Sequence, residues 1–82
     1  MQMSDVDRLD RLPTIPGRRA YFRQSDVSYF ISALGPEEWI VGLVITGETV
    51  AVLSPLPDGG FELAGPGIDL SGESWLLLLA RL

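Results

Sequence analysis

The stretch from Trp39 to Leu56 constrains this chain most. It is almost wholly apolar and is interrupted by Thr46-Gly47-Glu48-Thr49. Two apolar runs on either side of a turn signal predict a β-hairpin. The first strand is expected over Glu37 to Ile45, with Trp39, Val41, Leu43 and Ile45 on one face and Ile40, Gly42 and Val44 on the other. Neither face is polar, so the strand should be covered on both sides. The return strand is expected over Thr49 to Leu56. Pro55 and Pro57 end it, because proline donates no backbone hydrogen bond.

Downstream, Pro57-Asp58-Gly59-Gly60 is a turn signal, and Phe61 to Ala64 supplies a third strand with Phe61 and Leu63 inward. Gly65-Pro66-Gly67 breaks the chain again, and Ile68 and Leu70 add a short extended piece. Ser71 to Leu82 reads as a C-terminal helix, capped by Ser71, with Glu73 in the first turn and Arg81 in the last. The four leucines Leu76 to Leu79 sweep about 300° around such a helix. A helix apolar on all sides is expected to be buried on all sides.

Upstream, Arg19 to Arg23 is a candidate short strand. The segment Ser25 to Pro36 fits two templates. As a helix, Val27, Phe30, Ile31 and Leu34 fall at i, i+3, i+4 and i+7, with Ser25 as cap, Gly35 just past the end and Pro36 as the stop. As a strand, it is rich in β-branched and aromatic residues but separates no polar face. The two caps favour the helix. The expected fold is therefore α+β: an antiparallel meander of three to four strands, one helix before it and a C-terminal helix packed on it. The alternative is a mostly-β meander in which residues 26–34 form a strand. Ser4 to Leu12 offers a short helix ended by Pro13 and Pro16, and residues 1–17 are expected to form a flexible leader to a single domain at 18–82.

Eighty-two residues hold one core. The chain has no Cys and no His, and its six basic residues are all Arg. Disulfides, Cys-based zinc sites, the commonest general base and Schiff-base lysine chemistry are thereby excluded. Serine has no ordinary activating base, so Ser25 and Ser71 are better read as caps. The adjacent pair Glu37 and Glu38 would point to opposite faces of a strand. Neither glycine-rich segment has phosphate-loop spacing. Asp58, Glu62 and Asp69 lack the spacing of an EF-hand. No enzyme activity, cofactor or metal is expected.

Net charge is −5, unevenly spread: residues 1–23 carry five Arg against three Asp, and residues 24–82 carry one Arg against eight acids. Arg18, Arg19 and Arg23, interleaved with Tyr21 and Phe22, form a candidate polar contact arm. Three arginines on an acidic chain are a weak footprint for nucleic acid. With no apolar leader and no span near 20 residues, no membrane insertion is expected and the cytoplasm is the default location.

What remains is apolar surface. Trp39, Leu43, Trp75, Leu77 and Leu78 are the candidate anchors of a protein interface. The expected function is a non-enzymatic protein-binding module, an accessory, inhibitor, immunity or adaptor protein, that binds a partner or associates into a homo-oligomer. The alternatives are a structural component of a larger assembly, such as a virion or secretion machine, and, more distantly, a small regulator contacting nucleic acid.

Overall fold

The computed structural model describes residues 11–82. The helix expected over Ser4 to Leu12 lies almost entirely outside them. Six strands follow one another: β1 (Arg19–Gln24), β2 (Val27–Gly35), β3 (Glu38–Leu43), β4 (Thr49–Pro55), β5 (Phe61–Gly65) and β6 (Ile68–Gly72), then one helix, α1 (Trp75–Leu79). Each strand pairs antiparallel with its sequence neighbour, in the order β1-β2-β3-β4-β5-β6. The molecule is thus a mostly-β meander. The expected α+β fold of three to four strands, with a helix before the meander, is corrected on both counts.

The main correction is β2. Ser25 and Asp26 are not the start of a helix. Both have left-handed backbones, with φ of 54° and 65°, and they join Gln24 to its cross-strand partner Val27. Two such residues make the tight turn whose twist matches that of paired strands. From there the segment uses both faces. Tyr29, Ile31 and Ala33 enter the core, while Phe30 and Ser32 are buried on the other side. A strand buried on both faces shows no polar alternation, which is why its period resembled a helix. The helical stripe is coincidental: Val27 and Leu34 are exposed, and Phe30 and Ile31 face opposite ways.

The inner face of the sheet carries the core. Phe22, Tyr29, Ile31, Ala33, Trp39, Val41, Ala51, Leu53 and Leu63 form one cluster with Leu78 and Leu79 of α1. Phe22 and Tyr29 are cross-strand partners, and their rings stack with centroids 5.3 Å apart. The helix closes this face near β5 and β6. It is much shorter than expected: Ser71 and Gly72 finish β6, and Ser74 is the cap, accepting from the Leu77 N–H at 3.4 Å. Nor is it buried all round, because Leu77 is 68% exposed.

On the outer face, Phe30 is 2% exposed. It lies opposite Gly42 of β3, and the guanidinium carbon of Arg19 sits 4.1 Å from its ring centroid. The absent side chain at 42 and the overlying arginine together hide the ring from water.

The described part of the expected leader touches the domain. Leu12 packs against the core, the Trp39 indole N–H donates to the Pro13 carbonyl at 2.7 Å, and the Gly17 N–H donates to the Ala33 carbonyl at 3.1 Å.

Candidate functional site

The connection from β3 to β4 positions the candidate site. The Leu43 carbonyl accepts from the Gly47 N–H at 2.8 Å, and the Leu43 N–H donates to the Glu48 carbonyl at 2.9 Å. These two bonds frame a four-residue loop, Val44-Ile45-Thr46-Gly47, whose last residue has φ +76°. Glycine meets that left-handed geometry without steric cost. The turn therefore begins two residues earlier than the sequence suggested. Ile45 and Val44, expected on opposite faces of a strand covered on both sides, instead lie in the loop: Ile45 stands at the tip and is 91% exposed, with Val44 beside it at 46%. Thr46 holds the loop: its Oγ1 accepts from the Glu48 N–H at 3.2 Å.

Behind this loop the inner face opens into a groove of about 460 Å3. Its walls include Tyr29, Leu43, Val50, Ile68 and Leu82, and Glu48, Thr49 and Arg81 supply polar edges. Tyr29 on β2 and Ile68 on β6 are four strand spacings apart, about 19 Å in a flat sheet. That both line one groove shows that the sheet curls. The Val44 N–H donates to the Ser28 carbonyl at 3.1 Å, so the loop is tied to the start of β2, and the residues that flank it, Leu43 and Glu48, line the groove. An apolar trough with few polar groups at its margin suits capture of an apolar segment.

The five expected anchors do not gather in one place. Leu43 is half-buried and lines the groove. Trp39 and Leu78 belong to the core, at 8% and 4% exposure. Trp75 is half-buried against the same core, and Leu77 alone of the helix leucines projects outward. Burial inside this chain takes Trp39 and Leu78 off the surface.

The arginines divide similarly. Arg19 covers Phe30, Arg18 is exposed before β1, and Arg23 lies 3.9 Å from Asp26 in an ion pair open to solvent. Arg19, Tyr21 and Arg23 alternate along β1 and share the outer face.

The polar residues weighed for chemistry occupy structural positions. Asp58 Oδ1 accepts from the Gly60 N–H at 3.0 Å, stabilising the turn before β5. Glu37 lies in the β2–β3 turn, and Glu38 is exposed at the start of β3. Among the described residues, no group of three or more carboxylates is placed to hold a metal ion, and no helix is long and apolar enough to cross a membrane.

The loop residues Val44 and Ile45 were missed because they continue an apolar run. The signal that could have found them is Gly47, which ends a four-residue hairpin loop as readily as it starts a two-residue turn.

Comparison with protein-family models, with curated proteins and with solved structures finds no significant match.

Proposed function

We propose that this protein is a non-enzymatic protein-binding module. It seats an apolar segment of a partner protein in the groove behind the β3–β4 loop. The observation that carries this reading is Ile45, 91% exposed at a hairpin tip where turn chemistry favours polar residues. A loop tip needs no large apolar side chain for folding. Burying Ile45 and Val44 against a partner would contribute roughly 3–5 kcal/mol before the entropic costs of association. Arg81 and Glu48 at the groove margin would orient the bound segment through polar contacts.

A photo-crosslinking amino acid in place of Ile45, expressed in the native host, tests this. One discrete adduct is expected there, and none from the same group in place of Leu34, which is 54% exposed at the far end of the sheet. No adduct from position 45, or the same adduct from both positions, would overturn the proposal.

A further inference from the structure

The two outer edges of the sheet are complementary to each other. Among the described residues no strand pairs with the outer side of β1 or of β6. In β1, Gln24 and Val27 close a two-residue hairpin, so Gln24, Phe22 and Ala20 exchange hydrogen bonds with β2. The backbone groups of Arg19, Tyr21 and Arg23 therefore point outward. In β6, Gly65 and Ile68 close the Pro66-Gly67 turn, so Ile68, Leu70 and Gly72 bond to β5. Asp69 and Ser71 point outward. The side chains of both outward sets lie on the outer face of the sheet.

We infer that β1 of one copy pairs antiparallel with β6 of a second copy, continuing the meander across molecules. Strand direction allows it, because β1 and β6 run opposite ways in a six-strand antiparallel meander. Facing allows it too, since directly opposed residues of a sheet share a face. The strands match in length, at six and five residues. One register sets Tyr21 opposite Ser71 and Arg23 opposite Asp69, with Arg19 level with Glu73.

Charge selects this junction over the symmetric ones. Pairing β1 with β1 would bring the arginines of two copies together, and pairing β6 with β6 at full overlap would set each Asp69 opposite Ser71, with no cation to meet it. Like charges across a ladder are destabilising. A β1–β6 junction is head-to-tail, so it leaves an edge free at each end and adds further copies. Arg81 lines the groove and also borders a second hollow beside Asp69, so it stands near the end of β6 that meets Arg23.

Light scattering on a sizing column, run over a concentration series at about 50 mM and about 500 mM salt, tests this with the whole chain. Mass should rise with concentration and fall with salt. Arg23→Glu and Asp69→Arg should each give a monomer, and an equimolar mixture of the two should associate again, because every junction then joins opposite charges. Tyr21→Pro should also give a monomer with its circular dichroism unchanged, since the N–H it removes points away from β2. A wild-type chain that stays monomeric throughout would overturn the inference. So would variants that associate as the wild type does, or a mixture that remains monomeric. Association through the groove would be insensitive to Arg23→Glu and Tyr21→Pro, which separates the two surfaces.

Discussion

Phe30 and Gly42 sit directly opposite each other on β2 and β3, and the Phe30 ring occupies the space that a side chain at 42 would fill. The Glu48 carbonyl closes that space from the other side, 2.9 Å from where a Cβ would stand. Gly42→Ala is therefore expected to destabilise the fold by about 1–3 kcal/mol through overpacking. Urea unfolding would register it. An unchanged midpoint would mean that Phe30 moves aside freely.

Arg19 and Phe30 form the companion relationship. With its guanidinium over the ring, Arg19 contributes about 0.5–1 kcal/mol of cation–π attraction at an exposed site. A double-mutant cycle of Arg19→Ala with Phe30→Leu should return a coupling of that size. A coupling near zero would mean that Arg19 only shields the ring.

The Ser25-Asp26 turn holds two side chains in left-handed backbone, where φ is 54° and 65°. Each such residue is strained relative to glycine or asparagine. The double substitution Ser25→Asn and Asp26→Gly is expected to stabilise the protein by about 1 kcal/mol. A rise in Tm would bear this out. A fall would indicate that the solvent-exposed Arg23–Asp26 pair matters more than the turn geometry.

Helix α1 makes a sharp prediction about adjacent leucines. Leu79→Asp places a charge at a position that is 0% exposed and should abolish cooperative unfolding. Leu77→Asp, on the exposed side, should change stability by no more than about 0.5 kcal/mol. Similar melting curves for the two variants would contradict the helix orientation described above.

Trp39 ties the N-terminal segment down through its indole bond to the Pro13 carbonyl. Trp39→Phe keeps much of the apolar volume and removes the bond. Cleavage by trypsin after Arg18 is expected to accelerate in this variant, while far-UV circular dichroism stays unchanged. An unchanged cleavage rate would show that Leu12 packing alone holds the segment.

Some of this architecture was legible from local chemistry. Pro57-Asp58-Gly59-Gly60 and Gly65-Pro66-Gly67 delimited β4, β5 and β6, because proline and glycine restrict the backbone whatever surrounds them. The Trp39–Leu56 block read as a hairpin for the same reason. The segment from Val27 to Gly35 did not yield to the same logic. Burial on both faces erases the two-residue period, and caps at Ser25 and Gly35 serve a hairpin as well as a helix. The candidate site was less legible still. Leu43 stands out in the sequence as an apolar anchor, but its neighbours Val44 and Ile45 continue its apolar run and read as strand.

Sequence alone determined that this chain carries no Cys, His or Lys, that it folds around a central apolar hairpin, and that its charge is split between an Arg-bearing start and an acidic body. These follow from residue types and their immediate neighbours. Tertiary structure decided which apolar residues remain outside. Trp39 is drawn into the core by the sheet's inner face, with the Pro13 carbonyl taking its indole N–H, and Leu78 by the packing of α1 on β5 and β6, whereas Ile45 is left at a loop tip because two hydrogen bonds from Leu43 end β3 before it. Apolar sequence marks what could be buried, and only the pairing of strands distant in the chain settles what is.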